Sequence, residues 1–285
     1  MIDRKCKIVP IVVTYNRLEK LRQVMERLFA FNFEHVVIVD NASTDGTGEY
    51  LASLAAEKPI HLISLRENTG GAGGFHAGVR YAHEHLDYDY LLLQDDDAWP
   101  GEGVMERLCS YEQRPDAVIA AVHYPDGRVC PMNIPGHHPF KDWRQTLRTL
   151  IRGARGFHVT EADYQSGRQQ AVDFASFVGL FVHRRVIEQV GYPDDRWFIY
   201  GDDLEYTLRI RQAGFQMVFD PALHYVHDCQ TLKEGKKIYQ PLWKAYFTYR
   251  NNLHIAKQVA GWWYPLVVLY RVLSWHFALF RYPRE

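Results

Sequence analysis

The sequence predicts an α/β protein in which helices flank a mostly parallel central sheet. Two observations lead to this prediction. In the first half of the chain, short apolar runs rich in β-branched residues alternate with stretches whose apolar residues recur at helical spacing, a pattern typical of parallel sheets with crossover helices. Polar clusters follow these runs directly, at the strand ends where such sheets bind ligands. The chain has 285 residues, 47% of them hydrophobic, which is enough apolar material for a large core.

The elements of the first half follow from these patterns in order. Apolar residues between Leu18 and Leu28 recur every three or four positions and predict a helix. Ser43 or Thr44 is expected to cap the helix that follows the second strand. The predicted strands are the apolar runs Ile8–Thr14, Val36–Val39, Ile60–Leu65, Tyr90–Leu93 and Ala117–Val122.

The second half of the chain is less regular. Residues 124–168 carry four prolines and several glycines, so we expect a functional loop or a small excursion packed on the sheet. Regular structure is predicted to return over residues 171–182. A helix is predicted from Leu204 to Ala213, with Gly214 just past its end. The aromatic tail from Gln240 onward is predicted to be helical.

Charge and cysteine usage exclude some classes of protein. The formal net charge of −1 gives no sign of a nucleic-acid-binding surface. The four cysteines show neither C-x-x-C spacing nor a paired pattern, which favours a reduced, cytoplasmic setting. Because a predicted strand starts as early as Ile8, no signal peptide is expected.

Three consecutive carboxylates, Asp95, Asp96 and Asp97, come directly after a predicted buried strand. Packed this closely, they repel one another, and each raises the pKa of the others unless a cation is present. A hard divalent ion such as Mg²⁺ or Mn²⁺ relieves that repulsion and keeps positions open for substrate phosphates. The residues alone leave two interpretations open, a divalent metal site and a solvated acidic turn.

A glycine-rich run follows another predicted strand. It fits neither the G-x-G-x-x-G dinucleotide fingerprint nor the P-loop. Because glycines carry no side chain, this run still suits the close approach of a diphosphate to N–H groups at the start of a helix. We expect Asn68, Gly70, Gly71 and Gly74 to contact a nucleotide. The alternative is a flexible loop. Polar clusters after four predicted strands together indicate a single nucleotide site at one sheet edge.

Four segments, in this order, resemble the family 2 glycosyltransferases of the GT-A fold, a Rossmann-like architecture. The resemblance implies a nucleotide-sugar donor, a Mn²⁺ or Mg²⁺ ion at a D-x-D motif, and inversion at the anomeric carbon. It makes Thr14, Tyr15, Arg17 and Asp40 contacts of the nucleoside. The matching segments are residues 14–17, 40–47, 95–97 and 201–205.

Two further segments, residues 198–206 and 245–252, resemble the bacterial galactofuranosyltransferases more narrowly. This resemblance places the general base at Asp203, which would accept a proton as the acceptor hydroxyl attacks the sugar. Many relatives have Glu where this chain has Asp202. The charges of Asp202 and Glu205 are expected to help keep Asp203 basic.

The resemblance also assigns the metal ligands. Asp95 and Asp97, the first and third members of the D-x-D motif, are implied ligands, and His227 matches a family position that supplies another. Asp96 is expected to contact the sugar or the nucleotide. His224 is the competing histidine, and a hydrogen-bonded histidine at a strand end is the alternative without a metal.

The predicted function is an inverting, metal-dependent transfer of galactofuranose from UDP-galactofuranose to a glycan hydroxyl in bacterial surface polysaccharide synthesis. The resemblance implies that the acceptor glycan is lipid-linked. The nearest alternative is a relative that uses dTDP-rhamnose or another sugar nucleotide. A nucleotidyltransferase and a non-catalytic sugar-nucleotide-binding subunit are further alternatives. A processive synthase is rejected because no Q-x-x-R-W motif follows the base.

The aromatic tail allows more than one interpretation. Residues 261–284 combine Trp and Tyr with Arg271, Arg281 and Arg284, a composition that suits a helix at the membrane surface. A helix packed on the catalytic domain or in a homodimer interface is the alternative. Pro265 and Arg271 interrupt the apolar stretch and argue against a membrane crossing.

The predicted domain boundaries follow from these assignments. A catalytic domain is expected over residues 1–230, with its nucleotide-binding half over 1–122 and its acceptor and catalytic half over 123–230. A helical C-terminal region is expected over residues 231–285. The enzyme is expected to be cytoplasmic and peripheral at the inner face of the cytoplasmic membrane.

Overall fold

The computed structural model describes residues 6–229 and 243–279. One sheet in these residues contains nine strands. In chain order they are β1 (Ile8–Thr14), β2 (Val36–Asp40), β3 (Ile60–Ser64), β4 (Tyr90–Asp95), β5 (Ala98–Pro100), β6 (Ala117–His123), β7 (Gln170–Val172), β8 (Leu180–His183) and β9 (Met217–His227). Their spatial order is β3-β2-β1-β4-β8-β6-β9-β5, with β7 paired to β9.

Helices connect the strands and cover the sheet. Those in the described residues are α1 (Leu18–Phe29), α2 (Thr47–Ala55), α3 (Gly70–His85), α4 (Val104–Cys109), α5 (Trp143–Arg152), α6 (Glu161–Gln165), α7 (Arg184–Val190), α8 (Asp202–Gln212), α9 (Trp243–Val259) and α10 (Tyr264–Leu279). The predicted strands and helices of the first half are confirmed to within one or two residues at most of their ends.

The sheet is mostly parallel, as predicted. The first four strands run parallel to one another. β8 runs antiparallel to β4 and to β6, and β9 is parallel to β6, so β1, β2, β3, β4, β6 and β9 share one direction. β1 and β2 are buried at every position because helices cover both faces of the sheet. The carboxyl ends of β1, β2 and β4 therefore meet at one edge.

The prediction that Ser43 or Thr44 caps the second helix is wrong. α2 begins at Thr47 after Gly46, which has φ +88° and makes no side-chain cap. The Ser43 hydroxyl instead accepts the Asn16 backbone N–H, and the Thr44 backbone N–H donates to the Asn16 side chain. These bonds tie the loop after β2 to the loop after β1, an arrangement that local cap statistics do not contain.

The stretch predicted to be irregular, residues 124–168, contains α5 and α6. α5 begins after Asp142, whose carboxylate accepts the Gln145 backbone N–H. α6 begins with a capping box between Thr160 and Asp163. The prolines that argued against helices all precede α5, so they shape the path into it without interrupting it.

α3 starts at Gly70, so most of the glycine-rich run belongs to this helix. Its glycines allow α3 to approach the sheet closely. A Cβ on Gly74 would stand 2.3 Å from Val13 Cγ1, and one on Gly78 would stand 2.5 Å from Ile11 Cγ2. The absence of side chains at these positions therefore serves helix-on-sheet packing.

The C-terminal helices are packed differently from each other. α9 buries Thr248, Asn251, Ile255 and Ala256, whereas α10 has no fully buried side chain among its described residues. No helix within residues 6–229 or 243–279 is long and apolar enough to cross a membrane. Arg271 donates to Asn252 Oδ1 at 2.9 Å, so its guanidinium is engaged within the chain. Arg281 and Arg284 lie outside the described residues.

Candidate active site

The carboxyl ends of β1, β2 and β4 open onto a cavity of about 580 Å³. The cavity brings together most of the site residues predicted from the sequence, but Asp40 and Gly74 are not among its lining. The Asp40 carboxylate accepts the Ser43 backbone N–H and so shapes the loop after β2. The predicted residues that line the cavity are Thr14, Tyr15, Arg17, Asn68, Gly70, Gly71, Asp95, Asp96, Asp97, Asp203 and His227.

The acidic triplet forms the end of β4 and the turn into β5. Asp95 is the last residue of β4, and Asp96 and Asp97 are 4% and 3% exposed. Gln94 is fully buried and donates across this turn to the Ala98 carbonyl at 3.0 Å. Tyr225 donates its hydroxyl to the Gln94 side chain. The triplet is therefore a fixed turn in which Asp96 and Asp97 are buried, whereas the Asp95 side chain is 46% exposed.

Two side chains from β1 and the following loop hold the triplet. Arg17 Nη1 lies 2.5 Å from Asp97 Oδ2 and 3.2 Å from Asp96 Oδ1. Thr14 donates its hydroxyl to Asp96 Oδ2 at 2.7 Å. Both carboxylate oxygens of Asp96 are thus occupied within the protein. Arg17, predicted to contact a nucleoside, lies against the acidic triplet.

His227 reaches the same carboxylates from the end of β9. Its Nε2 lies 3.1 Å from Asp97 Oδ1 and 3.9 Å from Asp95 Oδ2, and its Nδ1 lies 2.8 Å from Asn133 Oδ1. Asn133 donates its amide to Ser176 Oγ at 2.8 Å, which turns its oxygen toward the histidine. Nδ1 therefore donates to Asn133, which fixes the ring so that Nε2 points at the carboxylates and can ligate an ion that displaces its proton.

His224, the competing histidine, is not part of this cluster. Its side chain is exposed, and its ring lies 5.7 Å from that of His123. The alternation of side chains along β9 explains the difference, because an odd separation of three residues places His224 and His227 on opposite faces.

The charges of the cluster perturb one another strongly. Burial, and then the charge of Asp97, raises the pKa of Asp95. Burial also raises the pKa of Asp96 to about 7 against the opposing charge of Arg17. Burial would raise the pKa of Asp97 as well, but its bonds to His227 and Arg17 lower it. Burial would lower the pKa of His227, but hydrogen bonding to Asp97 and the carboxylate charges raise it to about 10. The carboxylates of this cluster therefore stabilise positive charge placed beside them.

Asp95, Asp97 and His227 fit a divalent metal ion. One ligand atom from each lies within 4.8 Å of the other two. Carboxylate oxygens and a neutral imidazole nitrogen form a suitable donor set for Mn²⁺, and Asn133 holds the imidazole in the tautomer that ligation requires.

The second acidic group lies at the start of α8. Asp202 and Asp203 form the first turn of this helix, and Gly201 precedes it with φ +88°. Phe198 and Tyr200, in the loop before it, have φ values of +65° and +64°. Side chains disfavour this left-handed region, so surrounding contacts must hold the loop in place.

Helix α9 supplies those contacts. The buried Asn251 donates its amide to the carbonyl oxygens of Trp197, Ile199 and Tyr200 at 3.2, 2.8 and 2.6 Å. Arg250 Nη2 donates to the Trp197 carbonyl at 2.9 Å. A region predicted to lie outside the catalytic domain, from residue 231 onward, thus positions the segment that leads to Asp203.

The surroundings of Asp203 move its pKa toward neutral pH. Burial, and to a smaller extent the charge of Asp95, raises its pKa to about 6, although the Leu204 backbone N–H donates to it at 2.7 Å. Burial and the charge of Asp203 hold the pKa of Asp202 well above its usual range. Glu205 forms an ion pair with Arg209 at 3.0 Å. The expectation that the charges of Asp202 and Glu205 keep Asp203 basic is therefore wrong, because Asp202 is held neutral and Glu205 is paired, and burial is the main cause.

The start of α3 joins the loop after β2 to the loop that precedes α8, residues 198–201. Asn41 donates to the Gly70 carbonyl at 2.8 Å and accepts the Thr69 backbone N–H at 2.9 Å. A Cβ on Gly70 would stand 1.9 Å from the Phe198 carbonyl oxygen, to which Ala72 donates its backbone N–H at 3.1 Å. Gly70 is therefore needed where the two segments touch.

Sequence reasoning missed two site residues, Asn133 and Asn251. Asn251 lies in a segment that resembles a known subfamily, but nothing local indicates its contacts with the loop. Asn133 lies in the stretch interpreted as irregular. Each is 4% exposed or less. A buried Asn needs hydrogen-bond partners and so indicates a structural or functional role, but the sequence alone does not show that these residues are buried.

Comparison with known sequences finds one matching family. The model of the family described as Glycosyl transferase family 2 matches residues 11–191. The chain is 28% identical over 272 residues to galactofuranosyltransferase GlfT1 of Mycobacterium tuberculosis, covering 88% of this chain and 82% of that protein. It is 28% identical over 222 residues to the dTDP-rhamnosyl transferase RfbF of Shigella flexneri, covering 77% of this chain and 68% of RfbF.

Comparison with solved structures finds the same architecture. The crystal structure of S. aureus TarS 1-349 superposes with a TM-score of 0.54 at 16% identity, covering 78% of this chain and 60% of that one. The crystal structure of GalNAc-T7 with UDP, GalNAc and Mn2+ superposes with a TM-score of 0.58 at 13% identity, covering 81% of this chain and 46% of that one. At these identities the likeness concerns the fold.

Proposed function

Because the chain belongs to glycosyl transferase family 2, and is thus a hexosyltransferase, we propose that it transfers galactofuranose from UDP-galactofuranose, with inversion, to a glycan hydroxyl. One observation carries this proposal. The Asp95–Asp97–His227 cluster and the Asp203 carboxylate line the same cavity, so a site for the diphosphate and a base for the acceptor face one space.

Asp203 performs the proton transfer. Its carboxylate accepts the proton of the acceptor hydroxyl while the hydroxyl oxygen forms a bond to the anomeric carbon. The bond between that carbon and the diphosphate oxygen breaks on the opposite face, and UDP leaves with the bonding electrons. A single displacement of this kind inverts the configuration at the anomeric carbon.

Asp95, Asp97 and His227 hold a Mn²⁺ or Mg²⁺ ion in this proposal. When bound, the ion supplies charge neutralisation for the departing diphosphate. Arg17 keeps the acidic turn in place through Asp96 and Asp97, and Asn133 keeps the histidine in its ligating tautomer. Both oxygens of the Asp96 carboxylate are already bonded to Thr14 and Arg17. Any contact of Asp96 with the sugar is made by these same oxygens.

The nucleoside is proposed to lie against the loops after β1 and β2. Tyr15 is 42% exposed and lines the cavity, where its ring offers a stacking surface for the base. Asn68, Gly70 and Gly71 follow β3 and complete this wall. Asp40 acts there through the loop that it shapes, and Gly74 acts through packing.

The names of the relatives indicate the donor sugar. The name of GlfT1 supports galactofuranose, and the name of RfbF supports dTDP-rhamnose as the alternative. A panel of sugar nucleotides, with release of UDP or dTDP measured in Mn²⁺ or Mg²⁺, tests the proposal. We expect turnover with UDP-galactofuranose, and turnover with dTDP-rhamnose alone would replace it with the alternative.

The acceptor is proposed to be a lipid-linked glycan at the inner face of the cytoplasmic membrane. Support comes from α10 and the residues before it, where Trp262, Leu266, Leu269 and Tyr270 are exposed. Aromatic and aliphatic side chains of this kind suit the headgroup layer. The alternative is that residues 261–284 form a homodimer interface, which sedimentation of the purified enzyme with and without vesicles distinguishes.

A further inference from the structure

A second cluster of metal-ligating atoms lies on the other side of the His227 ring. Cys130 Sγ lies 3.9 Å from His227 Nδ1 and 3.9 Å from Cys229 Sγ. One ligand atom from each of the three residues lies within 4.8 Å of the other two. Cys130 is fully buried and Cys229 is partly buried. The proposed transfer reaction uses neither cysteine.

The spacing of these atoms matches a tetrahedral zinc site. With zinc–sulfur bonds of about 2.3 Å, two thiolates at the tetrahedral angle lie about 3.8 Å apart, and the observed separation is 3.9 Å. The Met132 sulfur lies 4.0 Å from Cys229 Sγ, at the mouth of the cluster. Thiolate and imidazole ligands select soft or borderline ions, whereas the carboxylates across the ring suit Mn²⁺ and Mg²⁺.

We propose that Cys130, His227 and Cys229 form a Zn²⁺ site that antagonises the ion held by Asp95 and Asp97. The antagonism rests on the proposed function, in which His227 Nε2 ligates that ion. Zinc at Nδ1 displaces the proton that this atom donates to Asn133 Oδ1 at 2.8 Å, and a neutral imidazole bound in this way carries its proton on Nε2. Nε2–H then donates to Asp97 and is no longer a ligand, so one ring serves one ion at a time.

Cobalt binding tests the site itself, independently of sugar transfer. The reduced full-length protein is titrated with Co²⁺ while its absorption spectrum is recorded. We expect one Co²⁺ per chain with thiolate-to-cobalt charge-transfer bands and tetrahedral d–d bands, both abolished by Zn²⁺. Cys130→Ser and Cys229→Ser should lose these bands, whereas Cys109→Ser, on α4, should keep them. Wild-type protein without thiolate bands would overturn the site.

Zinc inhibition tests the antagonism. At a fixed Mn²⁺ concentration, Cys229→Ser should keep the basal rate and raise the zinc concentration for half-inhibition by about tenfold or more. An unchanged zinc sensitivity would mean that zinc acts at the carboxylates, and the antagonism would be wrong. Full turnover without any divalent ion would refute the proposed metal dependence while leaving the cobalt result intact.

A different observation, on α5, carries a second proposal. This helix turns its polar side inward: Thr146 is buried, and Gln145 and Thr149 donate to the carbonyls of Gly156 and Pro139. Its apolar side faces outward, since Trp143, Leu147 and Ile151 are 71%, 49% and 72% exposed. These three residues recur every fourth position and form one row.

A row of cations lies beside the apolar row. Arg144, Arg148 and Arg152 are exposed and each follows an apolar residue of α5 by one position. Ion pairs to these arginines are absent among the described residues. An apolar row flanked by arginines matches an anionic lipid surface, which offers acyl chains beside phosphates. The geometry points to α5 as a helix that binds the membrane interface.

Vesicle sedimentation tests the role of α5 with the whole chain. We expect the protein to bind vesicles of phosphatidylglycerol and phosphatidylcholine more than phosphatidylcholine alone. Trp143→Ser combined with Ile151→Ser should weaken binding about tenfold or more, and Arg144→Gln with Arg148→Gln should remove the preference for anionic lipid. Trp262→Ser, just before α10, tests the proposed tail contact separately. Wild-type binding by both α5 variants, or an α5-dependent dimer without lipid binding, would overturn the proposal.

Discussion

The cavity contains two acidic groups, Asp95 to Asp97 and the pair Asp202 and Asp203. They are alike in sequence but differ in the charged side chains around them. Asp96 and Asp97 contact Arg17, and Asp97 also contacts His227. In the described part of the chain, no cation lies within ion-pair distance of Asp202 or Asp203. Cations lie against the first group and favour its ionised carboxylates. The second group lies away from them, and burial raises the pKa of both Asp202 and Asp203. In the proposed function, the first group ligates an ion and Asp203 acts as the base.

The largest expected effect is that of Asp203→Asn. Removing the base should lower the rate of transfer by about three orders of magnitude or more, while binding of UDP and Mn²⁺, measured by calorimetry, stays within a few-fold. Asp202→Asn is the matched control. Because the pKa of Asp202 is held well above its usual range, its neutral acid resembles an amide, and the rate should change by less than about tenfold. Equal losses in both variants would contradict the assignment.

The next largest effect is expected for Asp97→Asn in the first group. This change removes one ligand and one partner of Arg17, so the Mn²⁺ concentration for half-maximal activity should rise by about 100-fold or more. Activity should recover in part at high Mn²⁺. The control is Asp96→Asn, whose carboxylate is already bonded to Thr14 and Arg17 and should have a much smaller effect on the metal titration.

A smaller effect is expected for Asn251→Ala, which removes the amide donor to the Ile199 and Tyr200 carbonyls, whereas the Trp197 carbonyl keeps its bond from Arg250. We expect kcat to fall about tenfold with little change in the KM for the donor, and the free energy of unfolding to fall by about 2 kcal/mol. Asn252→Ala is the control, because Asn252 bonds to Thr248 and Arg271 rather than to the loop. A fall in stability without a fall in kcat would remove Asn251 from the positioning of the base.

The smallest expected effect is the loss of wild-type activity at low pH. Asp203 acts as a carboxylate, so activity is full above its pKa and is lost as the pH falls through it. The acid limb of kcat/KM, measured at saturating Mn²⁺, should have its midpoint between about 4, the unperturbed value, and about 6. A bound ion screens Asp95 and moves the midpoint down within that range. A midpoint above 7 would indicate a different base.

The first acidic group could be predicted from sequence because its position follows from local rules. An apolar run predicts β4, parallel strands align their carboxyl ends, and Asp95 is the last residue of that strand. The same rule places Thr14, the last residue of β1, and Tyr15, which follows it, at this edge. Family resemblance then supplied His227, which the sheet brings within 3.1 Å of Asp97 from 130 residues away.

The surroundings of the second group could not be predicted in this way. The left-handed conformations of Phe198 and Tyr200 oppose the preferences of those residue types. They persist because Asn251 bonds to the loop from 51 to 54 residues away. Asn133 likewise meets His227 across 94 residues. Contacts of this kind depend on tertiary packing, and single-sequence patterns contain no trace of the partner.

The bonds from Asn251 to the loop before α8 have a consequence for the order in which the site assembles during synthesis. Asp95, Asp97 and His227 all leave the ribosome before Asn251, which follows Tyr200 by 51 residues. At about 5–20 residues per second, the interval lasts seconds. If the proposed function is correct, a nascent chain at this stage would bind ion and donor before Asp203 is positioned, so donor hydrolysis would be delayed until the last helices dock. Ribosome-bound chains stalled with His227 outside the exit tunnel and Asn251 still inside it should bind UDP yet release none from a sugar nucleotide.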